Sequence, residues 1–207
     1  WIDNSARDSV AFLPIHDAWK DYEPVGIPGE DTRIVLPAPE QVVGAYNEAL
    51  AKFINREIQP KADRLRSEIL TSGNQPRHVN RLGVLYARFG MLDEAKAEFE
   101  KAGRQGYGPA LTNLGNIAYL QKKYTDAVAY YQRALGSAGN NGAALIGIAR
   151  AQYEMENYNE ASVAYTRVRQ VDPALADQYP YLVSRTEGAS RAASAADRTA
   201  KTSWLDE

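Results

Sequence analysis

Three stretches of the sequence decide the fold because they resemble one another: RLGVLY at residues 81–86, NLGNIA at 113–118 and GIARAQ at 147–152. They lie 32 and then 34 residues apart, and a second pattern follows each of them at the same offsets. This second pattern consists of an alanine, an aromatic residue and a small apolar residue. Its members are Ala95, Phe99 and Ala102, then Ala127, Tyr131 and Ala134, then Ala161, Tyr165 and Val168. Self-similarity at this period indicates a repeat architecture.

Packing explains why these residue types recur. Each first stretch has a small residue at its third position, and these are Gly83, Gly115 and Ala149. A small residue allows the first helix of a unit to approach the alanine of the second helix closely. The aromatic residue of the second helix is then expected to fill the space against the neighbouring unit, because a single helix pair cannot bury its apolar face alone.

The repeats resemble the tetratricopeptide repeat family, whose 34-residue unit has a large and then a small residue in its first helix and alanine, aromatic, alanine in its second. The resemblance implies an all-α fold, a right-handed superhelical array of antiparallel helix pairs with capping helices. Three units fit, at residues 76–107, 108–141 and 142–175. The first unit is two residues short, and the late proline of the family is present only as Pro173.

The residues on either side of the array are expected to form caps and a head. Residues 39–75 predict an N-terminal helical cap that Pro60 ends or kinks. Residues 176–207 predict a capping helix, near residues 174–186, and a mobile tail that includes the small, polar stretch 189–200. Residues 1–38 hold four prolines, with seven acidic and three basic side chains for a net charge of −4. A short irregular or β-ribbon head is expected there.

Composition excludes several classes of function. The chain has 24 basic and 26 acidic side chains, so its net charge of −2 predicts no nucleic-acid partner. It has no apolar run near the roughly 18 residues of a membrane-spanning helix, so no direct membrane insertion is expected. With no cysteine and only His16 and His78, we expect no metal site, no cofactor and no catalytic residue. The absence of cysteine, low lysine and abundant tyrosine favour the bacterial periplasm or cell envelope over the cytoplasm.

In the tetratricopeptide repeat family the first helices line a concave groove, and ligand contacts come from fixed positions of each unit. The resemblance assigns this role to Asn80, Arg81, Arg88, Thr112, Asn113, Asn116, Tyr119, Arg150, Tyr153 and Glu154. A carboxamide both donates and accepts, so Asn113 and Asn116 can pair with the backbone of an extended peptide. The arginines would favour an acidic ligand, and the tyrosines offer stacking faces. The alternative is that the same side chains are solvated or bond between helices.

The sequence therefore predicts a non-enzymatic protein-interaction scaffold that binds a peptide or protein segment in its groove. An alternative is a regulatory or substrate-docking module of a larger cell-envelope enzyme, because residues 1–23 faintly resemble the end of a transglutaminase-like domain. A third possibility is self-association, in which the head or tail of a neighbouring copy fills the groove. The acidic head of the chain itself is a further candidate for that position.

Overall fold

The computed structural model describes residues 39–138, 141–183 and 203–206, and the regular structure of these residues is entirely helical. The α-helices, in chain order, are α1 (Pro39–Phe53), α2 (Gln59–Thr71), α3 (Pro76–Arg88), α4 (Leu92–Arg104), α5 (Gly108–Leu120), α6 (Tyr124–Ala138), α7 (Gly142–Glu154), α8 (Tyr158–Val171) and α9 (Pro173–Ala176). The predicted all-α repeat array is confirmed. The predicted head at residues 1–38, its resemblance to a transglutaminase-like domain and the tail stretch 189–200 lie outside the described residues.

The chain divides into two compact units, Trp1–Arg64 and Leu65–Glu207. In the first unit, a π-helical turn at Ile54–Ile58 joins α1 to α2, and the N–H of Gln59 donates to the carbonyl of Ile54. Proline lacks an N–H, and its ring clashes with a carbonyl of the preceding turn of an α-helix. The wider π turn immediately before Pro60 relieves this conflict, so the helical path continues through the proline.

In the second unit, helices α3 to α8 pack as successive antiparallel pairs, each helix mainly against its neighbours in the chain. The turn that joins the two helices of each pair contains a residue of positive φ at the same repeat position. These residues are Gly90 at 72°, Lys122 at 59° and Glu156 at 62°. The N–H groups that follow return to carbonyls of the preceding helix, as from Lys123 to Ala118 at 2.9 Å. Only the first repeat has the glycine that this conformation favours.

The small residues of the first helices contact the aromatic residues of the second. A Cβ built on Gly83 would lie 2.5 Å from the ring of Phe99, and one on Gly115 would lie 2.4 Å from the ring of Tyr131. The other side of the Tyr131 ring meets Gly147 of the next unit, where a Cβ would lie 2.5 Å away. The aromatic ring therefore fills the space between units, as the sequence predicts.

Both ends of the array are covered. At the first end, the guanidinium of Arg66 in α2 donates to the hydroxyl of Tyr86 in α3 at 2.7 Å. At the other end, α9 and a 3₁₀ turn at Pro180–Val183 pack on α8, and the hydroxyl of Tyr165 donates to the carbonyl of Ala176 at 3.1 Å. A capping helix is expected near residues 174–186, and the described part of that range, up to residue 183, contains these two short helical segments.

Candidate peptide-binding groove

Two buried asparagines form the centre of the candidate site. Asn80 lies in the middle of α3 and Asn113 in the middle of α5, the first helices of successive units, and both are fully buried. The Nδ2 of Asn113 donates to the Oδ1 of Asn80 at 3.0 Å. This bond fixes the orientation of both carboxamides and leaves the second Nδ2 hydrogen and the Oδ1 of Asn113 for another partner.

That partner is an extended segment of the chain itself, residues 203–206. The N–H of Leu205 donates to the Oδ1 of Asn113 at 2.9 Å, and the Nδ2 of Asn113 donates to the carbonyl of Leu205 at 2.8 Å. The Nδ2 of Asn80 donates to the same carbonyl at 2.8 Å and to that of Asp206 at 3.3 Å. The two asparagines therefore pair with the peptide backbone on both its donor and its acceptor side.

A third asparagine extends this pairing along the segment. The Nδ2 of Asn116, one turn further along α5, donates to the carbonyl of Ser203 at 2.9 Å. Its Oδ1 accepts a 2.8 Å hydrogen bond from the hydroxyl of Tyr131. With the carboxamide turned over, the hydroxyl would have to accept from Nδ2, and its own proton would have no acceptor there. The bond to Oδ1 therefore holds the amide nitrogen towards the segment.

Two side chains of the segment also contact the array. The ring of Trp204 stacks on that of Phe99, with 6.1 Å between centroids and 22° between planes. The carboxylate of Asp206 pairs with the guanidinium of Arg88 at 3.0 Å. The two charged side chains remain 43% and 60% exposed, so this pair contributes little more than about 1 kcal/mol.

Thr112 and Arg81 make contacts with other parts of the helical structure rather than with residues 203–206. The hydroxyl of Thr112 donates to the carbonyl of Gly108 at 3.2 Å and accepts from the Nδ2 of Asn141 at 3.1 Å, which joins α5 to the start of α7. The guanidinium of Arg81 lies 3.6 Å from the carboxylate of Glu68 in α2. Both contacts correspond to the alternative in which a polar residue of the first helix bonds between helices.

Three further predicted residues lie in an aromatic cluster on α5 and α7. The guanidinium of Arg150 lies over the ring of Tyr119, 4.5 Å from its centroid, and 5.5 Å from that of Tyr179. The hydroxyl of Tyr124 donates to the carboxylate of Glu154 at 3.4 Å. The arginine is therefore held by cation–π contacts with two rings.

Tyr153 packs edge to face against Tyr158 and Tyr181, with 5.2 and 5.6 Å between ring centroids. Its hydroxyl is buried and has no hydrogen-bond partner among the residues that the structure describes. Burial raises the pKa of this hydroxyl above its ordinary value, and the electrostatic influence of the neighbouring Tyr158 and Glu154 raises the pKa further. Tyr153 therefore remains neutral and serves as an apolar side chain.

The contribution of two residues was not apparent from the sequence. The sequence predicts only that Tyr131 and Phe99 fill space between units. In the structure Tyr131 also orients Asn116, and Phe99 also stacks against Trp204. The sequence contains one signal for the first of these roles. The aromatic position is phenylalanine in the first repeat and tyrosine in the second, where Asn116 lies within reach of the added hydroxyl.

Within residues 39–138, 141–183 and 203–206, no cluster of three or more His, Cys, Asp or Glu side chains is arranged to hold a metal ion. Of the helices in the same ranges, none combines the length and the apolar character that crossing a membrane requires.

Successive helix pairs, with an extended segment along the first helices α3 and α5 of two neighbouring pairs, define a helical-repeat protein. Two sequence profiles described as tetratricopeptide repeat match the chain, at residues 79–102 and 118–183. These two stretches of the chain are therefore tetratricopeptide repeats. Among curated proteins, no sequence matches the chain. Repeats of this family are generally non-catalytic and serve protein–protein interaction. The matches support the role of a protein-interaction scaffold with protein partners.

Proposed function

We propose that this scaffold is non-enzymatic and binds an extended peptide segment of a partner protein along α3 and α5. The observation that carries the proposal is the pair of hydrogen bonds between the carboxamide of Asn113 and the backbone of Leu205, at 2.9 and 2.8 Å. A carboxamide that pairs with both the N–H and the carbonyl of one residue acts as a neighbouring β-strand would. It accepts any extended chain with a free N–H at that position.

Because the two asparagines are buried, the groove requires an occupant that satisfies their hydrogen-bonding groups. Asn80 and Asn113 are fully buried beneath the segment, and all the hydrogen-bonding atoms of the Asn113 carboxamide are satisfied. A buried polar group that loses its partner costs about 1–3 kcal/mol. A segment that replaces residues 203–206 must therefore offer the same backbone groups at the same positions, and an extended peptide does so.

The test needs a groove from which the chain's own segment has been released. The double variant Trp204→Ala, Leu205→Pro is called the released chain. It lacks the indole ring that stacks on Phe99 and the N–H that donates to the Oδ1 of Asn113. We would measure the binding of a fluorescent peptide KTSWLDE, the sequence of residues 201–207, by anisotropy. The released chain is expected to bind it, and adding Asn113→Ala and Asn116→Ala should weaken binding at least tenfold, about 1.4 kcal/mol, since each asparagine loses a hydrogen bond.

Two controls separate binding from folding. Gln132→Ala removes an exposed carboxamide from α6 and should leave the affinity unchanged. Asn116→Ala alone changes a residue that is only partly buried, so it reports on the groove even if the double variant unfolds. Equal affinity in the released chain and in the folded asparagine variants would place the peptide elsewhere on the surface and overturn the proposal.

A further inference from the structure

The position of Trp204 defines one requirement on a peptide in this groove. Its ring stacks on Phe99, which also packs closely against Gly83, where a Cβ would lie 2.5 Å from the Phe99 ring. Phe99 is fully buried with Trp204 in place. An aromatic residue covers this surface with a flat face, while a small residue would leave apolar area in water.

The position of Leu205 defines a second requirement, which concerns the backbone. Its N–H and carbonyl are bound by Asn113, and its carbonyl also accepts from Asn80. Proline has no N–H and cannot form the first of these bonds. The structure therefore excludes proline at this position.

The position of Asp206 defines the third requirement. Its carboxylate pairs with Arg88 at 3.0 Å, and the repeat region, residues 76–175, holds twelve basic and nine acidic side chains, a net charge of +3. Ser203, at the other end of the segment, is exposed and contributes its carbonyl to Asn116. The charge requirement therefore falls on the residue two positions after the aromatic one.

From these contacts we infer that the partner segment carries an aromatic residue, then any residue except proline, then an acidic residue. This inference rests on the proposed function and adds the chemistry of the ligand to it. Residues 204–206 have this pattern and occupy the groove from within the same chain. A partner therefore binds by displacing them, and the apparent affinity falls in proportion to the fraction of grooves that are free.

The test compares two proteins and three peptides in the same anisotropy assay. The proteins are the wild-type chain and the released chain, both at full length. The peptides are KTSWLDE, KTSALDE without the aromatic residue, and KTSWLKE with reversed charge. The released chain is expected to bind KTSWLDE at least about tenfold more tightly than the wild type. It should bind KTSALDE about tenfold less tightly than KTSWLDE and KTSWLKE roughly two- to fivefold less tightly.

The outcomes distinguish this inference from the function on which it rests. Equal binding of all three peptides to the released chain would overturn the sequence pattern but leave backbone binding intact. If the wild-type and released chains bound KTSWLDE with equal affinity, residues 204–206 would not be occupying the groove of the wild-type chain. Failure of every peptide to bind the released chain would overturn the proposed function itself. Sedimentation of the wild type as a monomer supports occupancy within one chain, and a dimer that dissociates in the released chain would show exchange between two copies instead.

Discussion

The hydroxyl of Tyr131 donates a 2.8 Å hydrogen bond to the Oδ1 of Asn116. The ring of Tyr131 is held between Gly115 of its own unit and Gly147 of the next unit. The amide nitrogen of Asn116 consequently faces the groove and donates to the carbonyl of Ser203. Packing between repeats thus fixes the direction in which a groove residue presents its donor.

Removing the Tyr131 hydroxyl should weaken binding without disturbing the fold. Tyr131→Phe keeps the ring between the two glycines and removes the bond to Asn116, which is then free to rotate. We expect the affinity of the released chain for KTSWLDE to fall roughly two- to tenfold, the equivalent of about 0.5–1.5 kcal/mol. Tyr130→Phe, the adjacent and partly buried tyrosine of α6, serves as the control and should bind as before. An unchanged affinity for Tyr131→Phe would show that Asn116 needs no such orientation.

Adding one methyl group at Gly115 should destabilise the array. The new Cβ of Gly115→Ala would lie 2.4 Å from the Tyr131 ring, and Gly147 blocks the ring from moving to the other side. We expect a loss of about 1–3 kcal/mol in the free energy of unfolding, measured in urea. Gly136→Ala is the matched control, because nothing lies within 4 Å of a Cβ at that helical site. It should stabilise the chain by about 0.5–1 kcal/mol through helix propensity. If the free energy of unfolding changed in the same direction in both variants, the close packing of Gly115 on Tyr131 would be contradicted.

In the turns between paired helices, a substitution is expected to raise the free energy of unfolding. Lys122 has a φ of 59°, a conformation that costs a non-glycine residue about 1–2 kcal/mol. Lys122→Gly should raise the free energy of unfolding by about 0.5–1 kcal/mol, since glycine relieves this strain but loses more chain entropy on folding. Gly90→Ala, at the same position of the first repeat, should lower it by about 1–2 kcal/mol, because Gly90 has a φ of 72° with open space around it. Thermal melts that show no change in either variant would mean that the turns relax at no cost.

Tyr153 should give the chain a pH dependence at alkaline pH. Burial raises the pKa of its hydroxyl in the folded chain, so its contribution to stability is present below the unfolded pKa of about 10 and is lost as the pH rises through the folded value. Tyr153→Phe removes a buried hydroxyl without a described partner and should leave stability at pH 7 equal or greater. Relative to the wild type, the variant should gain stability above about pH 10. Urea titrations that run parallel from pH 7 to 11 would contradict this assignment.

Much of the fold could be predicted because packing imposes a period on the sequence. The small residues at Gly83, Gly115 and Ala149 recur at the repeat offsets, and the structure has a first helix at each of them. The π turn before Pro60 could not be predicted in the same way. A proline in a helical pattern can end, kink or widen the helix, and the surrounding contacts decide which occurs.

The candidate site could be predicted only in part. Repeat position indicated Asn80, Asn113 and Asn116, and each of them contacts residues 203–206. The same rule also selected Thr112, which bonds between helices instead, because a position on a helix does not identify the neighbour that a side chain meets. The sequence indicated the tail only as an occupant from a neighbouring copy and did not single out residues 203–206. Four extended residues bound through their backbone have no periodicity and no characteristic composition.

Amide hydrogen exchange at Leu205 tests most directly whether Asn113 binds an extended backbone. In the wild-type chain the N–H of Leu205 donates to the Oδ1 of Asn113 at 2.9 Å, so its exchange should be slowed at least about tenfold relative to an unstructured amide. In Asn113→Ala, followed by nuclear magnetic resonance under the same conditions, this protection should disappear while the amides of α7 and α8 keep theirs. Exchange at Leu205 that is equally slow in both proteins, or equally fast in both, would contradict the account.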